Sequence, residues 1–255
     1  MNVFSVITVV ILTRNEAASI AQCIESIPDG CVILVVDSGS TDETCKIATE
    51  KGARVIVSPW PGHFAQQRNL ADANVHTDWI LHLDADETFS AEMAGELREF
   101  ITSGAYTASI VGRFPRKELI FGKWIEHGGW YPQYKLRLYK RNCGHWEGRV
   151  HENFVGYNAL PHTFHGPLLH DSYRDIHTFI DKFNRYSSLD ADEAIQAVNS
   201  FSFLKMFFQP LERFIGRYIV HKGYRDGMHG LVLAALIAMN YFMRYIKIWE
   251  KQYRK

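Results

Sequence analysis

The sequence is poor in cysteine and carries no net charge. Its four cysteines, Cys23, Cys31, Cys45 and Cys143, form no C-x-x-C pair and no even spacing. They read as reduced, semi-buried thiols of a cytosolic protein rather than a disulfide frame. Lys and Arg number 28 and Asp and Glu 28, so nothing global points to nucleic acid. No G-x-G-x-x-G follows the first apolar run, which argues against a dinucleotide oxidoreductase. Repeats and low-complexity tracts are absent too. The apolar run Gly230–Met243, fourteen residues broken only by Asn240, falls short of a membrane span, which needs about 20. Val3–Leu12 lacks a basic leader and a small-residue cleavage site, so it reads as a first strand and not a signal peptide.

What is present suits one large domain, or one with an appendage: 255 residues, 47% hydrophobic and 22% charged. Phe4–Leu12 and Val32–Val36 are continuous β-branched runs of the kind found in central parallel strands. Between them Thr13-Arg14-Asn15-Glu16 makes a polar turn into a helix ending near Ile27, where Pro28-Asp29-Gly30 breaks the chain. After Asp37, Ser40 and Glu43 have the spacing of a capping box, which predicts a helix over 41–51 stopped by Gly52. A third strand over 53–57 and a helix bearing Gln66-Gln67-Arg68-Asn69 lead to Trp79. Strands alternating with helices at this spacing predict an α/β fold with an open, mostly parallel, twisted sheet. The second half is less regular. Strands are expected over 106–114, 134–140 and 167–171, and a helix over 175–197.

The chain is organised around Trp79-Ile80-Leu81-His82-Leu83-Asp84-Ala85-Asp86-Glu87, a buried strand running straight into three acids. Side chains alternate along a strand, so Asp84 and Asp86 are expected on one face. Paired carboxylates past the end of a buried strand are costly without a cation or donors between them. That edge of an open α/β sheet is where ligands settle. Mg²⁺ carried on a diphosphate suits it, since that ion takes only one or two protein carboxylates. The plainer reading is that these acids lead into the next helix, capped by Thr88 or Ser90.

Thr13-Arg14-Asn15-Glu16, Asp37-Ser38-Gly39-Ser40-Thr41-Asp42, Gln67-Arg68-Asn69 and Asp84-Ala85-Asp86 together resemble the family 2 glycosyltransferases of the GT-A fold. The resemblance covers the first hundred residues in order. It implies that Asp37 accepts a hydrogen bond from a uracil N3–H, with Thr13 and Glu16 lining the nucleotide pocket. Arg68 would face the uracil or diphosphate, Asp84 the ribose, and Asp86 would ligate Mg²⁺ or Mn²⁺. Asp42 at a helix N-terminus needs only a structural role. Further on, Trp124–Lys140, Val150-His151-Glu152 and Leu169-His170 look like the branch containing lipopolysaccharide inner-core β-1,4-glucosyltransferases, as does Gly223-Tyr224-Arg225-Asp226-Gly227 in the tail. The Gln-x-x-Arg-Trp motif of processive synthases is absent, so a single transfer is expected.

An inverting transfer needs a carboxylate to take the acceptor hydroxyl's proton. Glu152 is the candidate base, with Glu147 and Asp171 behind it. His151 or His170 would complete the metal shell, Mn²⁺ accepting imidazole more readily than Mg²⁺. Trp130 and Tyr131 beside two glycines offer an acceptor platform or plain packing.

Residues 1–200 are thus expected as a GT-A domain, with its nucleotide-binding half over 1–103 and its acceptor half over 104–200. The tail, 201–255, holds ten Lys/Arg against three acids around two apolar stretches. It is expected to lie on a membrane or pack on the domain itself. The implied enzyme moves one sugar, glucose by resemblance, from a UDP-sugar to a glycolipid or lipopolysaccharide-core acceptor. It would work in the cytoplasm, in peripheral contact with the inner membrane. A sugar-nucleotidyltransferase and a non-catalytic nucleotide-binding membrane adaptor remain as alternatives.

Overall fold

The computed structural model describes residues 3–105, 109–148, 152–196 and 201–253. Its strands are β1 (Ile7–Thr13), β2 (Val32–Asp37), β3 (Arg54–Val57), β4 (Trp79–Asp84), β5 (Glu87–Phe89), β6 (Val111–Ile120), β7 (Lys123–Ile125), β8 (Gln133–Lys140), β9 (His145–Glu147), β10 (Asn153–Val155), β11 (His162–Thr163) and β12 (Leu168–Tyr173). Its helices are α1 (Ile20–Glu25), α2 (Thr44–Glu50), α3 (Phe64–Asp72), α4 (Ala91–Thr102), α5 (Ile176–Gln196), α6 (Phe203–Ile215) and α7 (Met228–Tyr253). The chain forms two compact units, one of residues 1–116 with 133–170 and the other of 117–132 with 171–255. Both β6 and β12 begin in the first and end in the second.

In the first unit the strands run β3-β2-β1-β4-β8-β6. The four strands from β3 to β4 are parallel, as the alternation of strands and helices predicts, whereas β8 is antiparallel to both β4 and β6. This is the α/β, GT-A type sheet that the sequence implies, with an antiparallel second half. Every residue of β1 is buried, and the period-2 alternation sends them to opposite faces. Ile7, Val9 and Ile11 pack with Leu81, Leu83 and Val35, while Val10 and Leu12 pack with Leu34, Val36 and Ile80.

Order reverses between β1 and β4: the chain builds outward from β1 to β3, and then β4 returns to the other side of β1. Open α/β sheets bind ligands at the carboxyl ends of the strands flanking such a reversal. The register sets those ends level, with Thr13 opposite Asp37 and Leu12 opposite Asp84.

Several local expectations change. Residues 3–6 form a 3-10 turn, and β1 starts at Ile7. The capping box does not form, because the Ser40 hydroxyl is taken by Asp37; α2 begins at Thr44, where Asp42 Oδ1 accepts from the Thr44 amide at 3.1 Å. Ser90 does cap α4, accepting from the Met93 amide at 3.1 Å. Tyr106, where a strand was expected to start, lies outside the described residues, and the strand there begins at Val111.

In the second unit α7 packs against both α5 and α6. Its buried side holds Leu233, Ala234, Ile237, Tyr245 and Ile248. The apolar run expected to be too short for a membrane lies within this 26-residue helix, long and apolar enough to cross one by length and composition.

Gly166 leads into β12, and its amide and that of His165 donate to Glu96 Oε2 at 3.0 and 2.7 Å. A Cβ at Gly166 would meet the Met93 backbone nitrogen at 2.3 Å. Overpacking of this kind costs about 1–3 kcal/mol. Gly166→Ala should therefore lower the urea midpoint of unfolding without changing its slope, and an unchanged midpoint would contradict the close packing described here.

Candidate active site

The polar turn after β1 and the loop after β2 are stitched together residue by residue. Asn15, at a φ of 55°, donates its amide to Ser40 Oγ at 2.8 Å and accepts from the Thr41 amide at 2.8 Å. The Glu16 amide donates to Thr44 Oγ1 at 2.8 Å and the Ala17 amide to Asp42 Oδ2 at 3.2 Å. The Thr44 hydroxyl, donating to Asp42, holds that exposed carboxyl below its usual range. The structural role expected of Asp42 is therefore the one it has. Asp37, only 1% exposed, accepts from the Gly39 and Ser40 amides at 2.9 and 2.8 Å and from the Ser40 hydroxyl. It organises its own loop at the sheet edge. Beside it the Thr13 hydroxyl is buried with no hydrogen-bond partner among the described residues. Glu16 accepts from Ser19 Oγ at 2.6 Å.

Each residue of Gln67-Arg68-Asn69, on α3, reaches a different element. Gln67 donates to Ser38 Oγ at 3.2 Å. Asn69 exchanges two 2.8 Å bonds with the Trp146 backbone, so it pairs with β9 as a strand would. Arg68, with its side chain 3% exposed, sends Nη1 to His82 Nδ1 at 3.0 Å. Its Nη2 goes to Asp84 Oδ1 at 3.0 Å and Glu152 Oε1 at 3.3 Å.

That contact fixes the state of His82. A guanidinium can only donate, so Nδ1 accepts and the ring proton sits on Nε2, which faces Asp72 Oδ1 at 2.8 Å. Asp72 Oδ2 accepts from Tyr139 Oη at 2.6 Å, and Tyr139 Oη accepts from Trp146 Nε1 at 2.9 Å. Burial holds His82 below its ordinary pKa against the opposing pull of Asp72. The result is a closed relay, Trp146 to Tyr139 to Asp72 to His82 to Arg68, ending on Asp84 and Glu152.

Asp84 has a second guanidinium. Arg137 on β8 donates Nη2 to Asp84 Oδ2 at 2.7 Å and to the fully buried Glu87 at 2.6 Å. Burial opposes ionisation of Asp84, yet Arg137 and Arg68 together hold its carboxyl well below the usual range. Arg116 reaches Glu87 at 3.4 Å, and Glu87 Oε2 accepts from the Asp84 amide at 3.0 Å. The expectation that Asp84 and Asp86 share one face needs correction. β4 ends at Asp84, and Asp86 lies in the turn before β5, where its partner is His170 Nε2 at 3.1 Å. Pairing of β12 with β5, His170 opposite Glu87, brings that imidazole in.

Among the expected site residues, Arg68, Asp84 and Glu152 meet in one cluster, and Asp86 meets His170. His151 lies outside the described residues. The reserve acids are engaged elsewhere, exposed Glu147 with His145 at 2.8 Å and half-buried Asp171 with Arg174 at 3.2 Å. Among the described residues no group of three His, Cys, Asp or Glu could hold a metal. A carboxylate oxygen and an imidazole nitrogen converging at the sheet edge do fit a divalent ion that arrives on a diphosphate and keeps its own waters. Sequence reasoning missed Asp72 and gave no individual role to Glu87, Arg137 or His82. The available signal was a histidine inside an otherwise apolar buried strand.

The family model "Glycosyl transferase family 2" matches residues 8–161. The chain belongs to this family. The lipopolysaccharide core biosynthesis glycosyltransferase LpsC of Rhizobium meliloti is 30% identical over 94% of this chain and 91% of its own. An uncharacterised glycosyltransferase of Rickettsia typhi is 28% identical over 96% and 87%. Among solved structures, glucosyl-3-phosphoglycerate synthase of Mycobacterium tuberculosis, in complex with Mn²⁺, UDP and glucosyl-3-phosphoglycerate, has a TM-score of 0.36 at 22% identity, covering 46% of this chain and 47% of that one. S. aureus TarS 1–349 has 0.43 at 15%, covering 97% and 91%. As a family 2 glycosyltransferase the protein is an enzyme, which sets aside the nucleotidyltransferase and adaptor readings.

The relay makes a pH prediction with a definite sign. An unfolded histidine titrates near about 6.5, whereas His82 is held neutral in the fold. The unfolded chain therefore binds the extra proton on acidification, and this contribution to stability is present above about pH 6.5 and lost as pH falls toward the lower folded pKa. His82→Gln should be less stable than wild type at pH 8, and the gap should narrow as pH falls below about 6.5. Parallel stability curves from denaturant titrations across that range would refute a neutral His82.

Proposed function

We propose that this family 2 glycosyltransferase is an inverting, metal-dependent hexosyltransferase. It moves a single sugar, glucose in the first instance, from a UDP-sugar to a glycolipid or lipopolysaccharide-core acceptor, working at the cytoplasmic face of the inner membrane. The observation that carries the reading is the Asp86–His170 pair at 3.1 Å, set on the same sheet edge as Asp37, Thr13 and the doubly clamped Asp84. The LpsC likeness supports an acceptor of the lipopolysaccharide-core class.

In this reading Asp37 and the unpartnered Thr13 hydroxyl receive the nucleotide, with Glu16 lining the pocket. Asp84, kept ionised and oriented by Arg68 and Arg137, receives the ribose hydroxyls. Asp86 and His170, with His151 as the further candidate, hold Mg²⁺ or Mn²⁺ on the diphosphate. When bound, that ion neutralises the charge growing on the departing UDP. Glu152 takes the proton from the acceptor hydroxyl, whose oxygen attacks the anomeric carbon on the face opposite UDP, so one glycosidic bond forms as the sugar–phosphate bond breaks. The fixed Arg68 guanidinium, which also touches Asp84, holds Glu152 in place and ties the base to the nucleotide side of the site.

A screen of UDP-sugars with Mg²⁺ or Mn²⁺ and no acceptor, read as UDP released, tests the donor. Stimulation by a UDP-hexose and by the metal is expected, and release of pyrophosphate instead would overturn the assignment. Asp86→Ala should abolish metal-dependent UDP binding in calorimetry, and binding unchanged in the variant would remove Asp86 from the metal's shell. Glu152→Gln should keep UDP binding while turnover falls about 10²–10⁴-fold, the usual span for loss of a general base. Wild-type turnover in that variant would transfer the proton to another group.

A further inference from the structure

The helix α6 presents its apolar side outward. Phe203, Leu204, Phe207, Phe208, Leu211 and Ile215 recur at the spacing of one helix face and are 45% to 67% exposed. Its opposite face is the one engaged with α7, and Phe207, at the edge of the stripe, also lies 6.0 Å from the Phe242 ring of α7. Gln209 accepts from Tyr245 Oη at 2.9 Å, Arg213 lies 4.8 Å over the Tyr241 ring, and Met206 packs on the Tyr245–Ile248 cluster. None of α6 is buried. The chain continues helically through Val220, making a rod about 27 Å long with apolar side chains along one side. Single exposed apolar residues are ordinary, but a continuous face of this length marks an interaction surface.

The charges near the face select its partner. Lys205 and Arg213 on α6, and Lys222 and Arg225 in the turn that follows the rod, are exposed, against Glu212 as the acid on α6. A second copy docking through the same face would bring these cations toward their own equivalents, since a two-fold interface opposes identical patches. Anionic headgroups answer both the cations and the apolar stripe. By contrast α7, though long enough to span, packs on α5 through Leu233, Leu236, Tyr245 and Ile248 and is tied to it by polar contacts near its C-terminal end. Lys247 donates to Asn184, Ser187 and Ser188 and Lys251 pairs with Asp192. Inserting α7 in hydrocarbon would drag those polar groups with it or strip them of their partners.

The rod is also joined to the loop over 127–132. Arg217 donates Nη1 to the Gly128 carbonyl at 2.8 Å and lies 5.2 Å over the Trp130 ring, and the Gly128 amide donates to the His221 carbonyl at 2.8 Å. Asp226 holds the His127 amide at 2.8 Å. Gly223 and Gly230 allow this closure, for a Cβ at Gly230 would meet the Gly223 carbonyl oxygen at 1.8 Å.

We propose that the outer face of α6 docks on an anionic lipid bilayer, lying flat in its surface, and that through Arg217 it carries the Trp130 loop to the headgroup layer where a lipid-linked acceptor is presented. This deepens the reading of a glycolipid acceptor and rests on it for the second clause alone. The test is sedimentation of the full chain with phosphatidylglycerol/phosphatidylethanolamine vesicles, alongside release of UDP without vesicles. Wild type and the α7 variant Met239→Glu should sediment with the anionic vesicles and less so at high salt. The double variant Leu204→Glu/Phe208→Glu, altered only at exposed positions, should lose vesicle binding about tenfold or more while vesicle-free UDP release stays at the wild-type level. Undiminished binding in that double variant, or binding lost in Met239→Glu instead, overturns the α6 surface. So does a wild-type dimer in light scattering that the double variant dissolves, because the face then belongs to a second copy. Failure of UDP release in every variant with vesicle binding intact would count against the catalytic reading and leave the docking surface standing.

Discussion

Two guanidinium groups meeting one carboxylate at the end of β4 are the constraint on which the rest of the site depends. Arg68 and Arg137 come from different elements, a helix before β4 and an antiparallel strand long after it, and both end on Asp84. Guanidiniums only 3% and 6% exposed are tolerated because each is paired and hydrogen-bonded. The cluster therefore holds α3, β4, β8 and Glu152 in one arrangement or not at all. Glu87 completes the balance by taking Arg137 and Arg116 and by accepting the Asp84 amide.

That economy explains which features could be read in the chain and which could not. The β1, β2 and β4 runs announce themselves because a strand buried on both faces must be apolar throughout, and strand order then places Thr13, Asp37 and Asp84 on one edge. Local polar motifs were legible as belonging together but not in their detail. Ser40 and Glu43 have capping-box spacing, yet the nearby Asp37 carboxylate takes the serine hydroxyl, so a tertiary contact overrides a local rule. The alternation argument for Asp84 and Asp86 fails for a similar reason: it holds only while the strand lasts, and β4 stops at Asp84. The partners of Arg137 and Asp72 were not legible, since they lie 53 and 10 residues away and no spacing rule reaches so far.

The tail shows the same limit on a larger scale. Hydropathy marks Gly230–Met243 as an apolar stretch, and the sequence leaves both apolar stretches of the tail as candidates for a membrane surface or for packing. Packing separates the two. Leu233, Ala234 and Ile237 of that stretch are buried, while α6, shorter and interrupted by Pro210, has no buried residue and keeps its aromatic side in the open. Burial depends on which face a neighbour covers, and a linear sum of hydropathies does not contain that information.

The relay behind Arg68 gives the clamp its direction. A guanidinium on its own rotates about the last bonds of its side chain and can offer either edge to a carboxylate. Here one nitrogen is held by His82 Nδ1, whose tautomer is set by Asp72, whose second oxygen is held by Tyr139, whose hydroxyl takes the Trp146 proton. Each link leaves its neighbour a single role, donor or acceptor, so with Nη1 committed to His82 the other edge of Arg68, at Nη2, is aimed at the carboxylates. That edge is the one shared by Asp84 and Glu152. Asp84 and Glu152 are thus positioned by the same nitrogen, and a disturbance deep in the core at Asp72 would be felt at both.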